Sequence, residues 1–381
     1  MKKLIGNIIL SILLLGQIAA CQNKKTMTAE EEAKLEQEAI NRPNEIWPTN
    51  KDAKGDYYYG ANMGTIEGYS AINAGSYFIT AKEQVSLNAQ NLGQTWGYGT
   101  GAYVLNDEYH PIPDSLYVCW FSRSEDKFYQ GRFKLPTQLI KDRFDEIWLT
   151  YGSASKKMQA SKYERFEDLI VGVTPGGGVI VWQKSSDQQI EIGHYQAKEI
   201  QMEWNKFADI NNFGDGSTRQ HFITSQKNSI TLPIPFGKAE KYREKFIWKC
   251  GVEVGRDLKA VNFELSLLNG EVESIYRDYK NGTNEFRARA VPARLNFLVQ
   301  QLNKKSYNFE ILFDEDDLFK AFHTICADKK TEAKLVLVLD NNNKISKIVL
   351  RNKTQEYVLN PNKVDVYTGK YNPKRTPIKD N

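Results

Sequence analysis

The sequence predicts a mainly β, α+β protein. An N-terminal antiparallel β-sandwich-like domain with a packed helix is expected over residues 51–245, and an α+β domain over 246–369. Three stretches lead to this reading. Leu116–Pro136 (LYVCWFSRSEDKFYQGRFKLP) alternates in apolar residues, breaks at a charged turn and resumes. Ile170–Gln183 (IVGVTPGGGVIVWQ) repeats the design with a Gly-rich turn. Asn269-Gly270 sits between two apolar runs, the strongest short hairpin signal.

The chain opens on a segment outside the fold. Lys2 and Lys3 precede an apolar run, Leu4 to Leu15, that is too short to span a bilayer with normal flanks. It ends in Ile18-Ala19-Ala20-Cys21, where small residues precede a Cys as a lipoprotein signal peptidase requires. Residues 1–20 are therefore read as a lipoprotein signal peptide and Cys21 as the lipidated first residue of the mature chain. Each buried acyl methylene contributes about 0.8 kcal/mol, so two or three chains hold the protein on the bilayer. Gln22, rather than Asp, follows the Cys, which favours an outer-membrane, periplasm-facing location and leaves surface exposure open. Residues 21–50 read as a tether, with a short helix begun at Thr28 and stopped by Pro43 and Pro48.

The 381 residues carry a formal charge of +4, which falls to +2 when Lys2 and Lys3 leave with the signal. No basic stripe exists, so nucleic acid is excluded as a partner on electrostatic grounds. The length suffices for a substantial core. Cys119, Cys250 and Cys326 remain after lipidation, which permits one disulfide at most and leaves the pairing open.

In chain order, short strands punctuated by Gly and Asn are expected at Asp56–Tyr59, Tyr69–Thr80 and Ala102–Leu105. Gly97–Ala102 (GYGTGA) imitates a dinucleotide fingerprint, but strand follows it where a helix is required. Leu116, Val118 and Trp120 share one face of a strand and Tyr117, Cys119 and Phe121 the other. Both faces are apolar, so this strand should be covered on both sides. Ser122–Lys127 is its turn, Phe128–Lys134 the return, and Thr137 the cap of an amphipathic helix carrying Leu139, Ile140, Phe144, Ile147 and Trp148. Lys156–Glu167 reads as an exposed loop or short helix. Strands follow at Leu169–Val173, Val179–Gln183, Ile190–Tyr195 and Ala197–Trp204.

The lipobox, the 116–136 hairpin, the Pro175-Gly176-Gly177-Gly178 turn running into Val181-Trp182, and Ile192-Gly193 followed by Gln196-Ala197 occur in this order. Together they resemble the bacterial lipoproteins grouped as domain of unknown function 2931, over about residues 55–290. The resemblance implies a lipid-anchored envelope protein and, for some members, an immunity or accessory role beside toxin-secretion loci. It carries over no catalytic residue.

Beyond a boundary at 233–245, strands are expected at Phe246–Val254, Ala260–Leu268 and Glu271–Tyr279, and a helix from Pro292 through Leu302. A strand follows at Tyr307–Phe313, then a helix at Asp317–Cys326 capped by Asp314. A last hairpin spans Leu335–Leu339 and Lys344–Leu350, with Tyr357–Leu359 as an edge. Residues 370–381 read as a disordered tail.

Chemistry is scarce. His110, His194, His221 and His323 show no metal-ligand spacing. Asp209–His221 resembles a cation loop, but its fifth position is Phe213 and its twelfth is Gln220, so the bidentate acid of an EF-hand is missing. Ser153-Ala154-Ser155-Lys156 lacks the companion motifs of penicillin-recognising enzymes. Glu125-Asp126 lies in a turn and Glu315-Asp316-Asp317 at a helix start, where structural roles suffice. No cofactor and no metal is implied. The expected function is that of a monomeric, non-enzymatic module that binds a protein partner at the envelope, an immunity or accessory protein being one form. A cell-envelope hydrolase acting on glycans is the alternative. The binding residues expected are Arg123, Glu125 and Asp126 on one turn and Gly176, Gly177 and Gly178 on the other, on the premise that the two turns lie near each other.

Cys21→Ser should move the protein from the membrane pellet to the soluble fraction on cell fractionation. Retention in the pellet would defeat the anchoring argument.

Overall fold

A computed structural model describes residues 51–370 except 88–90, 94, 98–108, 147, 150–162, 214–217, 225–232, 254–257, 277–284, 302–304, 341 and 343. The signal, Cys21, the tether, most of the Gly97–Ala102 run, the Ser153–Lys156 motif and the tail from 371 lie outside the described residues.

The apolar runs of the first half form β1 (Tyr57–Tyr58), β2 (Gly60–Thr65), β3 (Ala71–Asn73), β4 (Tyr77–Ile79), β5 (Gln84–Ser86), β6 (Asn91–Leu92), β7 (Tyr109–His110), β8 (Ser115–Ser122) and β9 (Lys127–Lys134). After helix α1 (Thr137–Asp145) come β10 (Trp148–Leu149), β11 (Tyr163–Glu164), β12 (Asp168–Val173), β13 (Gly178–Lys184), β14 (Gln188–Gln196) and β15 (Lys198–Ile200). Three short helices follow: α2 (Trp204–Ile210), α3 (Arg219–Thr224) and α4 (Lys238–Tyr242). The second half contains β16 (Lys245–Glu253), β17 (Leu258–Leu267), β18 (Val272–Tyr276), β19 (Arg287–Ala290), β20 (Pro292–Gln301) and β21 (Lys305–Leu312). Helix α5 (Glu315–Ile325) then precedes β22 (Ala333–Leu339), β23 (Ile345–Arg351), β24 (Glu356–Leu359) and β25 (Lys363–Lys370).

The mainly β, α+β class holds. A seven-stranded sheet has the path β15-β9-β8-β3-β6, with β4 paired to β8 and β5 to β4. A nine-stranded sheet runs β2-β12-β13-β14-β18-β17-β20-β21-β25, and a five-stranded sheet runs β19-β16-β22-β23-β24. Antiparallel order was expected in the first half, but β2–β12 is a parallel pair, and in the second half β16–β22 is parallel as well. Each parallel pair joins strands far apart in sequence, as a parallel connection requires.

β8 is covered on both faces, as its composition demands. Leu116, Val118 and Trp120 enter the main core, while Cys119 and Phe121 enter a second cluster with Ile72, Phe128 and Phe207. Helix α2 supplies that cover: Phe207 lies 5.5 Å from Phe121 and 5.2 Å from Phe128, ring to ring. Burying each of these rings contributes roughly 4–6 kcal/mol before conformational entropy is counted.

Several elements differ from the sequence expectation. Residues 292–301 form a strand instead of a helix. Leu295, Leu298, Val299 and Leu302 imitate helical spacing, but Leu295, Phe297 and Val299 are the buried set, at period two. Helix α2 begins where a strand was expected to end. Helix α1 has Pro136 at its N-cap position, and Thr137 instead donates to the Pro113 and Leu135 carbonyls at 3.3 and 3.4 Å. Ile140 and Phe144 are buried, Leu139 is exposed, and Trp148 belongs to β10. β25, which ends at Lys370, was not foreseen. Asp314 caps α5 as expected, accepting from Asp317 N at 2.9 Å.

The boundary expected near residue 245 is bridged. β14 pairs with β18 across it, and one core cluster contains Trp120, Val171, Phe246, Phe297 and Phe322. All described residues belong to one compact unit. Cys119, Cys250 and Cys326 are buried free thiols, so the one disulfide allowed by the sequence is not formed among them. Burial pushes the thiols of Cys119 and Cys326 up to about 11.

Asp168, at the start of β12, is pushed up to about 7 by burial, against the pull of Lys184. A raised carboxyl favours the protonated folded state, so its contribution is full below about pH 4 and is lost as pH rises through 7. Asp168→Asn should therefore gain stability over the parent between about pH 4 and 7 in urea titrations. The gap should stay constant above that window. A gap that ignores pH would contradict the assignment.

Candidate functional site

Glu125 organises the turn between β8 and β9. Its Oε2 accepts from the Tyr69 hydroxyl and from Ser122 Oγ, both at 2.9 Å. Its Oε1 accepts from the Tyr129 hydroxyl at 2.8 Å and from Gly176 N at 3.0 Å. Trp120 Nε1 donates to the Tyr69 hydroxyl at 3.0 Å, which extends the network into the core. Four donors fill the acceptor positions of an ionised carboxylate. Burial, and then the neighbouring Glu125 charge, push the Tyr69 hydroxyl far above the usual tyrosine range. Burial and the bond to Glu125 do the same to Tyr129. Both phenols therefore stay protonated as donors.

The bond from Gly176 brings the two expected turns together. Thr174 N donates to Gly178 O at 3.0 Å to close the second turn, and Gln196 Nε2 donates to Gly176 O at 2.7 Å. Gly176 and Gly177 have φ of +76° and +90°, which favour glycine. A Cβ on Gly177 would also lie 2.7 Å from the Ala197 carbonyl oxygen. Gly176 is exposed, whereas Gly177 and Gly178 are buried.

The first turn is less open than the sequence suggested. Asp126 is exposed, with a φ of +55°. Arg219 of α3 donates to it twice, from Nε to Oδ1 at 2.6 Å and from Nη2 to the backbone oxygen at 2.7 Å. Arg123 was expected at the exposed tip and is buried instead. It donates from Nη2 to Asn91 Oδ1 at 3.1 Å and lies 5.5 Å over the Phe222 ring. Its stem is apolar, so the guanidinium can lie across an aromatic face while its polar end finds a side-chain amide.

Between the turns lies an open cleft of about 520 Å³. Tyr129, Ala197 and Gly176 contribute to its wall, and Ile234 and Phe236 form a lip in which Phe236 is 60% exposed. Lys127 and Glu199 form an ion pair at 2.7 Å on the rim. The two carboxylates lining the cleft are thus both engaged, Glu125 by four donors and Glu199 by Lys127. The apolar surface and the exposed ring are what remain available, and they suit a neutral side chain.

Tyr129, Glu199 and Phe236 were not foreseen as part of this site. Phe236, an aromatic between Pro235 and Gly237 and outside any periodic run, is the one local signal that could have drawn attention. The other candidates are structural. Tyr57 and Tyr59 are buried and stack on Phe144 at 5.7 and 5.5 Å. His110, His194 and His323 bond to Glu83, Glu240 and Glu244 at 2.8, 2.9 and 3.1 Å. His221 is exposed on α3. No group of three potential metal ligands exists among the described residues, and none of their helices is long and apolar enough to cross a membrane.

Glu125→Gln would aim an amide N–H₂ at two of the donors and should cost about 2 kcal/mol of stability. Gly177→Ala should cost at least about 1–2 kcal/mol from φ strain and the Ala197 contact. Urea unfolding monitored by tryptophan fluorescence reads both, and unchanged midpoints would refute the role assigned to the paired turns.

No curated protein and no solved structure matches the chain. The resemblance expected to run to about residue 290 stops at 237, ahead of β16. Residues 48–237, which contain both turns and the whole cleft lining, match the family described as Protein of unknown function (DUF2931).

Proposed function

We propose that this protein is a non-enzymatic protein-binding module of the bacterial envelope, tethered to the outer membrane through a lipidated Cys21. It acts as a monomer without a cofactor and meets its partner at the cleft between the Ser122–Lys127 and Pro175–Gly178 turns. One observation carries this reading: two turns locked together by a saturated carboxylate hold open a cleft whose lip is an exposed aromatic ring. A rigid frame lowers the ordering cost of binding, and exposed aromatics at the centre of a patch supply most of the energy of protein recognition. Both cleft carboxylates are already bonded to neighbouring groups, Glu125 to four donors and Glu199 to Lys127, which supports a framing role for them. An immunity or accessory role is one form of such a module.

The test is cross-linking in intact cells. A photo-reactive phenylalanine analogue in place of Phe236 should give a discrete protein adduct. The same analogue in place of Val358, which is 52% exposed on β24, should not. Absence of an adduct from position 236, or equal adducts from both positions, would rule out the cleft as the recognition site.

A further inference from the structure

β15 is the last strand on one side of the seven-stranded sheet, and no other described strand pairs with its outer edge. Its inner edge is in register with β9: Lys198 opposes Gln130, Glu199 opposes Tyr129 and Ile200 opposes Phe128. This register assigns the side chains to faces. Glu199 follows Tyr129 onto the cleft face, while Ile200 follows Phe128 onto the face of the second apolar cluster. Lys198 is exposed on that second face, and no ion pair or hydrogen bond engages its ammonium among the described residues. A three-residue edge with a charge is protected against indiscriminate pairing, but it still presents backbone donors and acceptors that β9 does not use.

We propose that the outer edge of β15 accepts an extended segment of the protein partner as an added strand. The segment carries an acidic side chain opposite Lys198, an apolar side chain opposite Glu199 that enters the cleft, and a second apolar side chain opposite Ile200. This inference rests on the binding-module reading above and adds the mode and the chemistry of recognition. Charge selects the pattern. Lys198 offers an unused cation on one face, so an acid opposite it is favoured. On the cleft face Glu199 is held by Lys127 and Glu125 by four donors, so a charged side chain entering there would be desolvated without a partner. An apolar one meets Tyr129, Ala197 and Phe236. Backbone pairing supplies affinity and the alternating side chains supply specificity, as in other strand additions.

The experiment uses the full mature chain in detergent and two fluorescent heptapeptides, Thr-Thr-Val-Phe-Asp-Thr-Thr and its reverse, covering antiparallel and parallel addition. Anisotropy titration should show one order binding. Exchanging its Asp for Lys, or its Phe for Asp, should weaken it at least tenfold. N-methylation of alternate residues along one peptide edge should abolish binding, while the same change along the other edge should be tolerated. Lys198→Glu in the protein should reverse the preference between Asp and Lys peptides. Failure of both orders to bind, tolerance of methylation on both edges, or indifference to the Asp/Lys exchange would each overturn the proposal. Adducts from position 236 without peptide binding would leave the binding-module reading standing and end strand addition alone. Peptide binding without adducts would rule out the cleft as the recognition site in cells and overturn both readings.

Discussion

The arrangement around the cleft depends on one carboxylate. Glu125 is half-buried, and an ion in that position needs its lone pairs filled. Two phenols, a serine and a backbone N–H fill them, and the donors come from three separate places in the chain. The solvation requirement of a single side chain thereby fixes the β8–β9 turn, the β12–β13 turn and the Tyr69 segment relative to one another. Trp120 connects this polar network to the main core through Tyr69, so the cleft wall inherits the rigidity of the interior.

A second set of contacts ties the two halves of the chain. Helix α4 has only five residues, yet it bonds in both directions. Toward β14, Glu240 meets His194 at 2.9 Å and the adjoining Arg243 meets Glu191 at 2.6 Å. Toward α5, Lys238, Lys241 and Tyr242 all reach Glu315, at 3.2, 3.1 and 2.7 Å. Exposed pairs of this kind contribute little singly. Their value is geometric, because they orient the connection where the family match ends and where β14 meets β18. The buried Arg289–Glu273 pair, bonded at 2.8 and 2.9 Å, anchors β18 to β19 in the same region.

Much of the fold was legible where one periodicity had no competitor. The β8–β9 and β12–β13 hairpins, the Asn269-Gly270 turn, the Asp314 cap and the prediction that β8 is covered on both faces follow from alternation, turn chemistry and composition. Legibility failed where two periods coexist, as at residues 292–301, because Leu298 completes a helical set that the register with β17 and β21 overrides. It also failed at α2, whose role is to cover Phe121 and Phe128 and whose partner surface is made by distant residues. Of the site, the two turns could be read as separate signals. Neither their contact through Glu125 and Gly176 nor the inward position of Arg123 could be.

The sequence by itself determined the strand-rich class and the turns that need glycine or a charged tip, because each depends on a few adjacent residues. Tertiary structure alone decided that one sheet runs through both halves, that the three remaining cysteines stay apart as thiols and that a cleft exists. The reason is common to all three. Strand partners, thiol separations and a carboxylate's donors are set by residues tens to hundreds of positions away, and local periodicity carries no record of which distant element fills a given edge or satisfies a given charge.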